Sequence, residues 1–178
     1  MAGITIRPLM HLPELAGTAH DGLTVSLRPC LPSDEPFLIN LFQDSHLSEL
    51  TSAGFPQEQL IALVRMQFMA QRADYRRNFP GSDWSIIMHG NRSVGMTWIG
   101  SNEEAWCVAD MCVHPATRSS GVGTIVLRHV FAHAHAAGKP VRASALRTND
   151  GSIRLLLRMG FQVTTEDDFY IHFEAPCN

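Results

Sequence analysis

The sequence predicts an α/β fold in which helices pack against one sheet. Strand-like and helix-like segments follow one another in the order β-α-α-β-β-β-α-β-α-β-β, and no internal repeat or low-complexity linker interrupts them. The 178 residues can bury one core, so we expect a single domain over residues 1–178, with residues 1–22 as an N-terminal extension that offers an extra strand. With 45% hydrophobic and 17% charged residues, the composition is typical of a compact globule.

The first half of the chain predicts a strand followed by two helices. Residues 24–29 alternate and predict the strand, and Ser33 or Asp34 can cap the helix that begins directly after it. Over residues 57–75 apolar side chains recur at i, i+4 and i+8, which predicts a long amphipathic helix. A further short strand is predicted at residues 4–8, with no indication of where it pairs.

The second half predicts a hairpin, a third strand and two helix-strand units. Residues 84–88 and 94–98 alternate on either side of a turn at Gly90 and Asn91, which is typical of an antiparallel hairpin. The elements predicted after this hairpin are a strand at 105–113, a helix at 122–137, a strand at 141–146, a helix at 150–158, and strands at 161–165 and 169–174.

Charge and cysteine content narrow the classes of protein. The net charge of -3 gives no general attraction to nucleic acid or anionic membranes, so any anion site must be local. The sequence has neither a run of about 20 apolar residues nor the cationic start of a signal peptide. The four cysteines form no C-x-x-C pair, and we interpret them as reduced thiols. We therefore expect a cytoplasmic protein that binds neither nucleic acid nor membrane.

A phosphate-binding turn is predicted between the third strand and the next helix. Residues 118–123 read RSSGVG, follow an apolar strand and open an amphipathic helix. A helix N-terminus presents unpaired N–H groups and the positive end of the helix dipole. Gly121 and Gly123 would let the backbone approach phosphate oxygens, and Arg118 adds a cation. The pattern R-x-x-G-x-G occurs by chance in roughly a few per cent of chains of this length. A second interpretation is therefore a turn that only reverses the chain.

Two motifs carry a resemblance to a known family. Residues 108–127 (VADMCVHPATRSSGVGTIVL) resemble motif A of the GNAT (GCN5-related) N-acetyltransferases, and Asn149-x-x-Ser152 through Gly160-Phe161 resembles the N-x-x-[AS]…G-F segment that follows it. The second helix carries Q-F-x-A-Q-x-x-x-Y, as in a set of bacterial members. The resemblance spans about 150 residues. It implies the GNAT acyl-CoA N-acyltransferase fold, with a mixed, mostly antiparallel sheet of six to seven strands and helices on both faces.

The resemblance also implies a reaction. Acetyl-CoA would be the co-substrate, and its acetyl group would pass directly to a primary amine of a small molecule or peptide without a covalent enzyme intermediate. The pantetheine arm would pair with residues 111–113, the pyrophosphate would lie on the N–H groups of residues 118–124, and Asn149 would lie near the thiol. The residues expected to bind the co-substrate are Met111, Cys112, Val113, Arg118, Ser119, Ser120, Gly121, Val122, Gly123, Thr124, Asn149 and Ser152. The resemblance to this family also allows a homodimer.

Asp110 is the candidate base, because an ammonium must lose a proton before it attacks a thioester. It lies in an otherwise apolar strand, where simple alternation places it on one face with Val108 and Cys112. An ionised side chain is costly there unless it is paired or solvated. Asp110 is therefore either a base or ammonium anchor at the cleft, or a structural carboxylate paired with an arginine or backbone N–H groups.

The proton donor to the departing thiolate is left open. In many family members a tyrosine four residues before the glycine of G-F has this role, and here that position is Leu156. The remaining candidates are Tyr170, Tyr75, His114 and water, of which we take Tyr170 and His114 as predicted catalytic residues beside Asp110. The absence of the usual tyrosine also supports an alternative function, a non-catalytic sensor or structural protein that binds acyl-CoA.

Two other features lead to weaker hypotheses. His129 and His133 are spaced i, i+4 as metal ligands can be, but no Glu or Cys completes the set locally, so no metal site is predicted. Glu49, in the segment expected to link the first two helices, falls where acceptors enter in this family, and a solvated loop carboxylate is the other interpretation. Dinucleotide binding would need G-x-G-x-x-G after an early strand, and the sequence has none.

Overall fold

The computed structural model describes residues 7–8, 15, 17–51, 57–78 and 84–177, and its elements closely follow the predicted order. The helices are α1 (Glu35–Thr51), α2 (Gln57–Asn78), α3 (Val122–Ala136) and α4 (Asp150–Arg158). The strands are β1 (Arg7–Pro8), β2 (Gly17–Thr18), β3 (Thr24–Pro29), β4 (Ser85–His89), β5 (Arg92–Ser101), β6 (Trp106–Val113), β7 (Val141–Leu146), β8 (Gln162–Glu166) and β9 (Tyr170–Ala175).

The nine strands in the described ranges belong to one mixed sheet, in which eight follow the order β2-β3-β4-β5-β6-β7-β9-β8 and β1 lies off this path. The β6–β7 pair is parallel and the other neighbours are antiparallel, which confirms the predicted mostly antiparallel sheet. The strand count exceeds the predicted six to seven because β1 and β2, with two residues each, join the longer ones. β1 pairs with β5 at Ser101 and Gly100. Residues 4–6 of the predicted first strand lie outside the described residues.

Helices cover both faces of the sheet, as predicted. Successive residues of β4 point to opposite faces, so Ile86 packs under α1 and α2 while Ile87 packs under α3 and α4. We call these the α1/α2 face and the α3/α4 face. The α1/α2 cluster contains Leu38, Leu41, Phe42, Val64, Phe68, Trp84, Met96 and Trp98. The α3/α4 cluster contains Val25, Ile99, Val108, Val122, Val126, Leu127, Val130, Leu156 and Phe173.

A β-bulge in β6 corrects one prediction about Asp110. Trp98 lies opposite Asp110 but Ile99 lies opposite Val108, so one extra residue is inserted in β6 between them. A bulge of this kind interrupts the alternation of side chains. Val108 packs on the α3/α4 face, whereas Cys112 packs on the α1/α2 face, where Asp110 joins it as the cross-strand partner of Trp98. The predicted shared face is therefore right for Cys112 and wrong for Val108.

The part of the sheet formed by β7 and β9 is less covered by helices on the α1/α2 face. In β7 and β9 every second side chain is packed in the α3/α4 cluster, among them Ala143 and Phe173. The intervening side chains lie on the α1/α2 face, and there Leu146 is 36% and Tyr170 44% exposed. The side chains on this open part of the face are Arg142, Ser144, Leu146, Tyr170, His172 and Glu174.

Candidate active site

A slot opens within the sheet between β6 and β7. The two strands pair at three positions, the last of which joins Val108 to Ala143. Both strands are described in full and both continue beyond this point, β6 to Val113 and β7 to Leu146. On its other side β6 stays paired with β5 as far as Val113. The β7-facing edge of residues 110–113 therefore has no neighbouring strand among the described residues and can pair with an extended, amide-containing ligand. On this edge the Val113 carbonyl accepts from Nε of Arg118 and the Met111 N–H bonds the Asp110 carboxyl.

The turn at the end of this slot has the backbone of an anion site. Ser119 has a φ of 65° and Gly121 a φ of 95°, so the chain curls twice before α3 begins at Val122. Alternation of left- and right-handed conformations directs successive N–H groups into one concavity. The Ser120 hydroxyl donates to the Thr117 carbonyl at 2.7 Å and holds the turn closed. This geometry suits a phosphate group at the N-terminus of α3.

The two glycines of the turn are needed for different reasons. Gly121 needs its positive φ, and a Cβ added there would lie 3.0 Å from Nε2 of His20. The His20 N–H donates to the Ser120 carbonyl at 3.1 Å, so the N-terminal segment packs on the predicted phosphate turn. A Cβ at Gly123 would instead lie 3.2 Å from Cδ2 of Leu155, which indicates close packing of α3 on α4.

Arg118 lies beside the turn but is directed toward α1. Its Nε donates to the Val113 carbonyl at 3.1 Å, and its Nη2 lies 3.5 Å from the Ser45 hydroxyl. The same hydroxyl lies 3.0 Å from Sγ of Cys112. These contacts join the end of β6 to α1, and phosphate binding by Arg118 stays a prediction.

Both ring nitrogens of His114 are engaged in local contacts. Nδ1 accepts the Ala116 N–H at 3.2 Å, so in the neutral ring Nε2 carries the proton and donates to Asp44 at 3.1 Å. His114 thereby caps the short 3-10 turn Pro115–Thr117 and fastens it to α1. This arrangement favours a structural role over the predicted proton transfer, which stays a prediction.

Asp110 lies at the closed end of the slot, beside the bulge. Burial raises the pKa of its carboxyl to about 7, partly opposed by a hydrogen bond from the Met111 N–H. Such a group can accept a proton near neutral pH, as a general base must. The geometry is therefore compatible with the predicted base.

Tyr75 and Tyr170 lie near this carboxyl. The Tyr75 hydroxyl is 3.4 Å from the Ala109 carbonyl, and its ring centroid lies 5.1 Å from that of Trp98. Burial, followed by the charges of Asp110 and Tyr170, raises the pKa of Tyr75, so this hydroxyl stays protonated and keeps a proton to donate. The structure thus groups Asp110, Tyr75 and Tyr170 and places His114 beyond the other end of the slot.

The second motif forms the start of α4. The Asn149 side-chain oxygen accepts the Ser152 N–H at 3.0 Å, which is an N-cap hydrogen bond and explains the N-x-x-S spacing. Leu156 is 6% exposed and packs in the α3/α4 cluster. The position of the usual tyrosine is thus filled by a core side chain.

Glu49 and the pair His129 and His133 all lie within helices. Glu49 lies within α1, which extends to Thr51, and not in a linking segment as predicted. His133 Nδ1 lies 2.9 Å from the His129 carbonyl, and the two rings are 4.4 Å apart. Over the described ranges no group of three potential metal ligands comes together.

Sequence reasoning missed three polar residues on the open part of the α1/α2 face. Ser144, His172 and Asp167 form a chain of hydrogen bonds. Alternation in β7 and β9 was the available signal that Ser144 and His172 share a polar face. The direct pairing of the two residues depends on the register of strands 28 residues apart, which no local pattern contains.

Comparison with known proteins agrees with this geometry. The family model described as Acetyltransferase (GNAT) family matches residues 41–161, more than half of the chain. The protein has the mixed α/β fold of the GNAT acyltransferases, and it belongs to the GNAT acetyltransferase family. The comparison with curated proteins found no match.

Solved structures share the fold at low sequence identity. The PaiA N-acetyltransferase of Thermoplasma acidophilum in complex with coenzyme A superposes with a TM-score of 0.63 at 15% identity, covering 85% of this chain and 98% of that one. A GNAT-family acetyltransferase of Listeria monocytogenes gives 0.58 at 15% identity, with 89% and 98% covered. The ribosomal-protein-S18-alanine N-acetyltransferase of Escherichia coli gives 0.60 at 13% identity, with 86% and 94% covered.

Within the described ranges, no helix is both long and apolar enough to cross a bilayer.

Proposed function

We propose that the protein is an acetyl-CoA-dependent N-acetyltransferase that passes acetyl directly to a primary amine of a small molecule or peptide. The observation that carries this proposal is the open slot between β6 and β7, which leads to the curled turn before α3. One end offers backbone groups to an extended amide-containing arm, and the other offers N–H groups to a pyrophosphate. Coenzyme A combines these two chemical parts in one molecule.

The chemistry of the slot supports transfer as well as binding. A thioester whose arm pairs with residues 111–113 would reach the bulge of β6, where Asp110 lies. With its pKa near 7, Asp110 can take a proton from an ammonium group and leave a nucleophilic amine. Attack of the amine forms the C–N bond and releases the thiolate. The acceptor would enter over the open part of the α1/α2 face, where Tyr170 is exposed.

Two of the structural neighbours support the parts of this proposal separately. The Thermoplasma protein is in complex with coenzyme A, and the Escherichia protein is named as an alanine N-acetyltransferase.

Thermal denaturation with acetyl-CoA, combined with release of free thiol from a panel of amines, tests the proposal. We expect acetyl-CoA to raise the melting temperature and at least one amine to release thiol faster than hydrolysis does. A raised melting temperature without any transfer would favour the acyl-CoA-binding sensor, an alternative that Leu156 in place of the usual tyrosine supports. No shift at millimolar acetyl-CoA would refute both functions.

A further inference from the structure

Three side chains on the open part of the α1/α2 face form a hydrogen-bonded chain. Oγ of Ser144 lies 2.8 Å from Nδ1 of His172, and Nε2 of His172 lies 3.1 Å from Oδ2 of Asp167. Ser144 and His172 are direct cross-strand partners in β7 and β9. Asp167 lies in the turn before β9 and reaches back to the imidazole. The three groups come from separate elements and meet in the order hydroxyl, imidazole, carboxylate.

Asp167 is fixed as an anion in this chain. Its Oδ1 accepts the N–H groups of Phe169 at 2.9 Å and Tyr170 at 2.7 Å, which leaves Oδ2 for His172. These backbone hydrogen bonds, together with His172, lower the pKa of Asp167 to about 2. An ionised carboxylate only accepts, so Nε2 of His172 carries a proton and donates it toward Asp167.

The Ser144 hydroxyl, at the other end of the hydrogen-bonded chain, lies at the closed end of the slot. Val108–Ala143 is the last pair between β6 and β7, so Ser144 is the first residue of β7 beyond the point where the strands part. Ala143 packs in the α3/α4 cluster, and the next side chain therefore points to the α1/α2 face. Because the bulge turns Asp110 to that same face, Ser144 and Asp110 stand on opposite walls of one opening.

We propose that Ser144 is the catalytic proton donor to the coenzyme A thiolate, and that His172 and Asp167 are positioning residues: His172 replaces the proton of the Ser144 hydroxyl, and the ionised Asp167 orients the imidazole. This inference rests on the proposed N-acetyl transfer. Such a donor would occupy the role left open by Leu156, whose side chain is buried on the other face of the sheet.

The acceptor ammonium loses two protons and forms the C–N bond as the C–S bond breaks. With His172 as imidazolium, Nδ1–H passes its proton to Oγ of Ser144 while the Oγ–H proton moves to sulfur. One of the two ammonium protons restores His172, directly or through Asp110, and the other leaves to water. The products are an amide, free coenzyme A thiol and one released proton.

Other charged and titratable groups surround His172. On β9, Tyr170 and Glu174 flank it on the same face, and Glu174 is held by Arg142 of β7 at 2.8 Å. β8 places the neutral Thr165 opposite His172. Across the slot lies Asp110. Asp167 is the carboxylate in direct hydrogen-bond contact with the imidazole, so among these charges its removal should affect the relay most strongly.

Steady-state kinetics over pH 5 to 10 test the relay in the full-length protein. We expect Ser144→Ala to lower kcat by about a hundredfold with little change in KM for acetyl-CoA. His172→Gln should lower kcat similarly and abolish the fall in kcat at high pH, and Asp167→Asn should move that fall to lower pH. Thr164→Val is the matched control, because its hydroxyl contacts only the backbone carbonyl of His172, at 3.2 Å. The relay is overturned if Ser144→Ala and His172→Gln show the same kcat and the same pH profile as Thr164→Val.

A binding measurement separates failure of the relay from failure of the proposed function. A hydroxyl that donates to the thiolate stabilises it, so coenzyme A should bind the wild-type protein more tightly as pH rises toward the pKa of the free thiol. Ser144→Ala should flatten this dependence, and desulfo-coenzyme A, which lacks the sulfur, should show none in either protein. If coenzyme A binds with the same pH dependence in wild type and Ser144→Ala, Ser144 does not contact the sulfur, whether or not any amine is acetylated.

Discussion

The two walls of the slot place the same chemical group in opposite environments. On β6, burial raises the pKa of Asp110 to about 7. Beside β9, the exposed Asp167 accepts the N–H groups of Phe169 and Tyr170, and its pKa falls to about 2. One carboxyl can exchange a proton near neutral pH and the other stays ionised. The roles of the Asp110 and Asp167 carboxyls are therefore determined by their environment more than by residue type.

The backbone of the two walls differs in a corresponding way. β6 is bulged and lies between β5 and the slot, and Asp110 on it is half-buried. β7 and β9 alternate between core and open face without a bulge in their pairing. The buried wall is therefore suited to accepting a proton, and the open wall to admitting an acceptor.

The effect expected on coenzyme A binding concerns the turn that follows β6. Gly121→Ala forces a side chain into φ 95° and toward His20, so coenzyme A affinity should fall at least about tenfold in a calorimetric titration. Gly138→Ala is the control, because Gly138 also has a positive φ, lies at the far end of α3 and has open space around it. Both variants should lose about 1 kcal/mol of stability. Equal coenzyme A affinity in the two variants would argue against a phosphate at Gly121.

Replacement of the buried carboxyl should reduce turnover. For Asp110→Asn we expect kcat to fall by about a hundredfold while coenzyme A affinity is retained. In the wild-type protein kcat should rise with pH through about 7, because the base must be ionised, and this rise should vanish in the variant. A wild-type rate that is flat between pH 6 and 9 would remove Asp110 from the mechanism.

The same substitution should change how stability depends on pH. The pKa of Asp110 is higher in the folded than in the unfolded chain, so the folded state holds the proton more tightly and stability falls as pH rises from about 4 through 7. The loss at pH 8 is about 4 kcal/mol as an upper limit. Asp110→Asn should therefore raise the melting temperature at pH 8 relative to wild type more than at pH 5. An equal difference at both values would mean that the carboxyl is not desolvated.

On the open wall the pH dependence should have the opposite sign and be smaller. The pKa of Asp167 is lowered in the folded chain, so its contribution to stability is present above its ordinary value near 4 and is lost as pH falls toward 2. Denaturant titrations should show Asp167→Asn slightly less stable than wild type at pH 6, with the difference shrinking below pH 4. A difference that grows on acidification would contradict this assignment.

Local patterns in the sequence were enough to predict most elements. The hairpin of β4 and β5, the whole of β7 and the bounds of α4 follow from alternation, helical periodicity and turn residues close together in the chain. The turn at Gly121 was predictable for the same reason, because strand, turn and helix are contiguous. Its positive φ is what the glycine suggested.

Features that depend on distant partners were not predictable in this way. The bulge that separates Val108 from the face of Asp110 arises from the register of β6 against β5. The meeting of Ser144 with His172 requires the β7–β9 pairing, and the packing of His20 on Gly121 brings together residues about a hundred positions apart. These contacts are set by tertiary packing, which local propensity does not encode.

The central claim is that the slot between β6 and β7 binds the acyl-CoA arm, and backbone amide hydrogen exchange tests it most directly. Addition of coenzyme A should slow exchange of amides in residues 110–113 and 119–124, because the arm pairs with β6 and the pyrophosphate with the turn. The outer strand β8 should exchange at an unchanged rate. Saturating coenzyme A that protects neither segment, or protects a different region, would contradict the account.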